Sequence, residues 1–282
     1  MCVIWGLPYL LIKVAVRHME PATLVFMRTG IGAVLLLPIA AARREMQPVL
    51  ARWRWLVVYT VVELAIPWVL LSTAEQRLPS SLSGLLVAAV PLVGAVLSWA
   101  VGGRDKLGSR AILGLLVGLA GVGALVGFDV HGGDAGSVAI VGVVVIGYAA
   151  GPIVLDRRLG DLPKLGVVAA SLVLCAVGYA PFALTHLPSG TTSWRVVGAV
   201  VVLGVVCTAL AFVLFFHLIA EIGPVRATVI TYVNPAVAVV LGVVFLHEHF
   251  GAGTAIGFGL VLTGSVLATG AGRRAPALVG EP

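Results

Sequence analysis

Apolar runs of about twenty residues follow one another along almost the whole chain, separated by short polar breaks. A helix needs about 20 apolar residues to cross the hydrocarbon of a bilayer. The runs lie near 1–16, 22–42, 55–73, 80–101, 110–127, 137–155, 164–185, 195–216, 225–246 and 252–270. Transmembrane β-strands would be roughly ten residues long and would alternate apolar with polar side chains; these runs are longer and do not alternate. No single aqueous core could bury so much apolar side chain. Hydrophobic residues make up 60% of the 282 and charged residues 11%, against about 25% charged in a soluble domain. The expected fold is an all-α integral membrane protein of ten transmembrane helices.

The basic residues set a direction. Thirteen fall in alternate breaks: Arg43, Arg44, Arg52, Arg54, Arg104, Lys106, Arg110, Arg157, Arg158, Lys164, Arg226, Arg273 and Arg274. Only Arg17, Arg77 and Arg195 fall in the others, and Lys13 and Arg28 lie within runs. The positive-inside rule places the first group in the cytoplasm, with both termini there, as an even number of spans requires. The net charge of +6 is therefore an orientation signal and not a nucleic-acid footprint. Cys2, Cys175 and Cys207 form neither a disulfide framework nor a CxxC pair. The N-terminus has no basic n-region and no small-residue cleavage site, so no cleaved signal peptide is expected; the first run is short, and Met1 is a candidate late start.

The chain reads as two halves: residues 1–127, an external linker at 128–136, residues 137–271, and a cytoplasmic tail at 272–282. Pro79 matches Pro224, Pro91 matches Pro235, Gly114 matches Gly257, and Gly121 matches Gly264, at separations of 143 to 145 residues. Five spans per half, an odd number, insert the second half upside down. Inverted repeats are an architecture of secondary transporters, with the site near the midplane and interrupted helices at matching positions. Pro91 and Pro235 fit that pattern. Each removes a backbone donor and crowds the carbonyl four residues earlier. Helix shaping alone is the other role open to them.

Trp5-Gly6 with Lys13, Pro21 with Arg28, Pro91, and then Pro235 followed by VAVVLGVVFLHE to Glu248 and by Gly257 resemble, in order and spacing, the EamA-type ten-helix branch of the drug/metabolite transporter superfamily. The resemblance covers nearly the whole chain. It implies a carrier that exports or exchanges amino acids, nucleosides, other small metabolites or drugs. Two departures are a shorter lead-in before Trp5 and Asp105 where the second half has Glu248.

Trp5, Tyr9 and Lys13 recur every fourth residue and share one helix face. An aromatic stripe with a cation could hold an anionic group and cover an apolar one; alternatively Lys13 snorkels to the interface and Trp5 anchors the other. Arg28, unpaired at mid-membrane, would cost about 2.5–3.5 kcal/mol on insertion scales, so a partner is expected in Glu63, Glu20 or a backbone carbonyl, or else the residue is an anchor at the headgroups. Glu63 lies midway along WRWLVVYTVVELAIPWVLL, one turn before Pro67. It is the candidate proton-coupling acid; the alternative is a structural ion pair with Arg28 or Lys13. Trp68, Tyr148 (matching Trp5 by repeat position) and Asn234 beside Pro235 complete the candidate substrate site, with Arg28, Pro91 and Pro235 in gating or structural roles. Glu248 reads as a helix-end residue.

The His247-Glu248-His249 triplet lacks the i, i+4 spacing of a helical zinc motif, and GAGTAIGFG lacks the GxGxxG spacing. Its glycines read as packing positions, as do Gly114 and Gly118. No cofactor, metal or catalytic residue is expected. The expectation is a secondary carrier of the inner membrane working by alternating access, an exporter coupled to protons. Its expected partners are a small-molecule substrate, the lipid bilayer and protons. An uncoupled exchanger, an accessory protein and a membrane-embedded enzyme are the rivals.

Overall fold

The computed structural model describes residues 1–101, 108–129, 135–187, 193–222 and 230–269. The loop residues 130–134, the tail, Asp105, Pro224 and Arg226 lie outside the described residues, as does the side chain of Tyr232. Among the described residues there is no strand. Eight helices are long and apolar enough to cross a membrane: α2 (Pro21–Ala42), α3 (Trp53–Ala74), α4 (Ser80–Ala100), α5 (Ser109–Asp129), α6 (Ala135–Leu159), α7 (Lys164–Thr185), α8 (Trp194–Glu221) and α10 (Ala252–Thr269). Two shorter apolar helices, α1 (Cys2–Ala15) and α9 (Ile230–Leu246), complete the bundle. A short helix, Met46–Ala51, links α2 to α3.

Proline and hydroxyl residues shape the irregular points. In hydrocarbon every freed carbonyl needs an internal donor, and here side chains supply it. Helix α3 widens into a π turn at Thr60–Ala65, directly before Pro67; the Ala65 carbonyl accepts a hydrogen bond from the Tyr179 hydroxyl of α7 at 3.0 Å. Helix α8 does the same at Val205–Leu210, where the Thr208 hydroxyl donates to the Leu203 carbonyl at 2.8 Å. Helix α4 breaks at Ala88–Ala89 and restarts with Pro91 in its first turn; the Ser265 hydroxyl of α10 reaches the Ala88 carbonyl at 3.4 Å. Pro235 behaves differently, lying within the continuous helix α9. The two matched prolines thus do not give matched breaks: the pair of irregularities at equivalent positions is instead the two π turns, whose starts, Thr60 and Val205, are 145 residues apart.

Helix α5 packs along α10, α2 along α7, α1 against α9 and α8, and α4 against α9 and α6. The α5–α10 contact is backbone to backbone. A Cβ on Gly121 would stand 2.6 Å from the Val261 nitrogen and 2.8 Å from the Gly257 carbonyl oxygen. A Cβ on Gly114 would stand 2.7 Å from the Gly264 carbonyl oxygen. Only glycine permits such an approach. Gly114 and Gly257, read in the sequence as packing positions, thus lie in this contact between helices.

Arg43, Arg44, Arg52 and Arg54, between α2 and the body of α3, lie at the same end as Arg157, Arg158 and Lys164, the two segments being joined by Arg52–Asp161 and Glu45–Gly166 contacts. The basic end is knit by polar contacts. Arg52 grips Asp161 through two hydrogen bonds, 2.6 and 2.7 Å, and holds its carboxyl below the usual carboxylate range. The Arg158 guanidinium lies 4.3 Å from the Trp55 ring centre, and the Gly166 N–H donates to Glu45 at 2.8 Å.

Candidate functional site

The polar side chains of the interior meet between α1, α2, α3, α6 and α8. Arg28 of α2 is 5% exposed. Its guanidinium lies 3.7 Å from the centre of the Trp68 ring, a cation–π contact strengthened by removal from water. Its Nε and Nη2 donate to the Thr208 hydroxyl at 3.4 and 3.3 Å. No carboxylate lies within ion-pair distance of it among the described residues. The expected acidic partner is thus replaced by an aromatic face and one hydroxyl. The second π turn explains why Thr208 is available: the turn directs its side chain toward α2, where Gly32 leaves room, a Cβ there standing 3.0 Å from the Thr208 methyl.

Tyr9 and Trp68 are buried, and Tyr148 is half-buried. Tyr148 packs against both hydrophobic clusters that flank this centre, one built on α2, α3 and α7 and the other on α1, α2 and α8. It lies in electrostatic range of Arg28, Glu63 and Glu75. The structure thus brings Tyr9, Arg28, Trp68 and Tyr148 together, as aromatic walls around a buried cation.

Glu63 sits in the first π turn. Its Oε2 is buried without a hydrogen-bond partner, pressed into a notch that Gly151 of α6 leaves open; a Cβ on Gly151 would overlap the carboxylate. No ion pair joins Glu63 to Arg28 or Lys13. At the repeat spacing of 145 residues Glu63 corresponds to Thr208, so both π turns carry a polar side chain into the interior.

Lys13 does not face this centre with a spare ammonium. Its Nζ donates to the carbonyls of Glu75 at 2.6 Å and Leu78 at 2.8 Å, where the positive charge complements the C-terminal end of α3. Trp5 is further away, packed on Phe215 at 4.7 Å and Phe212 at 6.1 Å between ring centres. Asn234 is half-buried on α9, with its backbone carbonyl against Gly6.

Glu248 makes a second contact at the Lys13 end. Beyond α9 the chain turns through His247 in a left-handed conformation (φ 55°), and the Glu248 N–H reaches the Gly242 carbonyl at 3.2 Å. The carboxylate is thereby aimed at the start of α4 and accepts from the Ser80 and Ser81 backbone N–H groups at 2.7 and 2.9 Å. The sequence reading of Glu248 as a helix-end residue matches this contact, although the helix it caps is α4.

Two residues escaped the sequence reading. Thr208 looks like any hydroxyl in an apolar run, and only the repeat spacing from Glu63 points to it. Glu75 stands in the polar stretch AEQR and reads as a loop acid, yet it is 0% exposed and neither carboxylate oxygen has a hydrogen-bond partner. Away from the centre, a groove of about 310 Å³ opens beside the first π turn, lined by Val57, Val61, Leu174 and Tyr179 among others.

Comparison with known proteins bears on all of this. The model of the EamA-like transporter family matches residues 1–127 and again residues 135–270. An uncharacterized inner membrane transporter, YedA, of Escherichia coli K12 is 28% identical over 277 residues, covering 95% of this chain and 87% of that protein. An uncharacterized transporter, YvbV, of Bacillus subtilis is 22% identical over 268 residues, covering 93% of this chain and 86% of its own. An uncharacterized transporter of Archaeoglobus fulgidus is also 22% identical, with 92% of each chain covered. A solved crystal structure superposes with a TM-score of 0.70 at 22% identity, over 97% of this chain and 96% of the other; it shares the fold.

Proposed function

The chain belongs to the EamA-like transporter family and is a multi-pass membrane transporter, and from that premise we propose that it is a secondary carrier of the inner membrane, exporting a small metabolite by alternating access. The ten helices form two five-helix repeats of opposite orientation. The α5–α10 crossing supports this. Gly114 meets Gly264 and Gly121 meets Gly257, while Gly114 corresponds to Gly257 and Gly121 to Gly264 in sequence. Such reciprocal pairing is what a two-fold axis produces. The paired π turns support it as well, since π bulges concentrate at functional sites. The basic end faces the cytoplasm and the Lys13 end faces outward, by the positive-inside rule.

The observation that carries the site is the Arg28 guanidinium, buried on the Trp68 ring with a hydroxyl and no carboxylate for company. A buried cation left without an anion is costly, and an anionic group of the substrate would complete it. Tyr9, Trp68 and Tyr148 would cover an apolar or aromatic part beside that group. Amino acids and related carboxylates have this chemistry. Glu63, in the π turn and lacking a partner for Oε2, is the acid that would exchange a proton as substrate moves.

The test is counterflow in liposomes containing only the purified protein, preloaded with an amino-acid mixture and assayed with labelled members of it. Arg28→Lys keeps the charge but loses the flat stacking and the forked donors. Counterflow of a carboxylate substrate, reduced at least tenfold in Arg28→Lys with the protein still folded, is the expected result. Equal activity of parent and Arg28→Lys would refute the role of Arg28, and no counterflow of any anionic or zwitterionic solute would refute the carrier assignment for this substrate class.

A further inference from the structure

Glu75 is an ionisable residue at the Lys13 end whose burial the contacts around it do not explain. It follows directly after α3, its side chain is 0% exposed, and neither Oε1 nor Oε2 receives a hydrogen bond. A carboxylate has about four lone-pair sites when ionised and is an acceptor only. Removing it from water without donors costs several kcal/mol, whereas the neutral acid carries a much smaller penalty. Unsatisfied buried groups call for a ligand, a proton or a function.

The neighbouring cations are engaged elsewhere. Lys13, from α1, donates to the Glu75 and Leu78 carbonyls and not to the Glu75 carboxylate. Arg28, from α2, lies on Trp68 and bonds Thr208. The remaining titratable groups facing Glu75 are Tyr9 of α1, Tyr148 of α6 and Glu248 beyond α9. Two of these neighbours are phenols, and the third is an acid already bound to the start of α4. Glu248 adds repulsion to an ionised Glu75 and none to a neutral one.

The location gives this burial a consequence. Glu75 lies between the two contacts that shut the outer end, the Lys13 cap on α3 and the Glu248 cap on α4. Opening that end would hydrate all three side chains together. We propose that Glu75 is a proton-binding site of the carrier: its carboxylate takes up one proton from the outer aqueous phase as the Lys13 end closes and returns it when that end opens. Closure then requires neutralisation of Glu75, which links the outer gate to the pH of the outer phase. Glu63, half-buried at the π turn and seated against Gly151, has no such place in the gate.

The proposal rests on the carrier reading for its sidedness, but both of its readouts are made without substrate. The first is infrared titration of the purified protein in lipid between pH 5 and 9. The carbonyl bands of protonated carboxylic acids are expected to titrate in the parent; one component is expected to vanish in Glu75→Gln and to remain in Glu63→Gln. The second is hydrogen exchange of the backbone amides of residues 74–83, corrected for the intrinsic pH dependence of exchange. Protection is expected to rise at least tenfold as the band appears in the parent. In Glu75→Gln, a permanently neutral side chain of nearly the same shape, it should be high at every pH. Should Glu75→Gln fold poorly, Glu75→Asp reports instead, since its band must shift in frequency while persisting. A band insensitive to Glu75→Gln, protection with the same pH profile in parent and Glu75→Gln, or protection that follows sodium instead of pH would each overturn the proposal. If the infrared and exchange results hold and counterflow fails, the proton site stands and the substrate assignment falls.

Discussion

Replacing Glu248 should separate two contributions that the structure superimposes. The carboxylate accepts from the Ser80 and Ser81 N–H groups at 2.7 and 2.9 Å, and both serines are buried, at 0% and 4% exposure. In Glu248→Gln one carbonyl oxygen remains, so one N–H keeps its acceptor while the other faces the new NH2 group, and the charge at a helix N-terminus, about 0.3–2 kcal/mol, is lost as well. In Glu248→Ala two buried donors lose their acceptor as well, each costing about 1–3 kcal/mol. The alanine variant should therefore be destabilised by roughly 3–5 kcal/mol and the glutamine variant by less, short of it by about the 1–3 kcal/mol of one donor. Thermal unfolding of detergent-purified protein, followed by the loss of the monodisperse peak in gel filtration, ranks the two. The contact also joins α9 to α4, so hydrogen exchange over residues 80–83 should accelerate in Glu248→Ala. Equal midpoints for parent and Glu248→Ala would refute the capping argument. So would equal losses in Ala and Gln, which would leave the acceptor that Gln retains without effect.

The remaining expectations concern packing and the basic end. Gly151→Ala places a methyl group onto the Glu63 carboxylate and should lower the unfolding midpoint, with Glu63→Ala in the same chain recovering much of the loss; strictly additive losses would show that the two do not touch. Gly121→Leu should disrupt the α5–α10 crossing by more than the 1–3 kcal/mol usual for overpacking, because its obstacle is backbone, whereas Gly123→Leu, with open space around it, should be tolerated; the two midpoints compared in one assay decide this. Arg52 depresses the Asp161 carboxyl, so that pair stabilises the fold above the ordinary carboxylate range and ceases to do so as pH falls through the depressed value. The difference in midpoint between parent and Arg52→Ala should accordingly be constant from pH 5 to 8 and shrink only at lower pH. A difference that instead grew on acidification would contradict it.

Which of these features the sequence could disclose follows from their physical origin. The apolar runs were legible because a bilayer imposes a length on each helix, and the boundaries from α2 to α8 lie within a few residues of the expected ones. The glycine and proline matches were legible because backbone constraints leave fixed residue types at fixed spacings. The π turn at Thr60–Ala65 was foreshadowed by Pro67, but its partner at Val205–Leu210 has no proline; its signature is the hydroxyl of Thr208, ambiguous in an apolar run. Pro91 and Pro235 share a register yet only the first breaks its helix, since whether the backbone opens depends on what can satisfy the freed carbonyl. Lys13 reads in the sequence as a substrate-site cation or a snorkelling one, and its acceptors, the Glu75 and Leu78 carbonyls, lie more than sixty positions away, beyond any local pattern. Glu75 illustrates the limit most clearly. Its burial is created wholly by tertiary closure of helix ends, and neighbouring Gln76 and Arg77 in AEQR are exposed.

The most direct test of the central claim is metabolite profiling of cells and their medium, comparing overexpression of this chain with Arg28→Lys at matched abundance in the membrane and with an empty vector. The account predicts that a class of small molecules bearing a carboxylate accumulates in the medium and is depleted from the cells only with the intact chain. Identical profiles for the chain and Arg28→Lys, or accumulation confined to solutes without an anionic group, would contradict it.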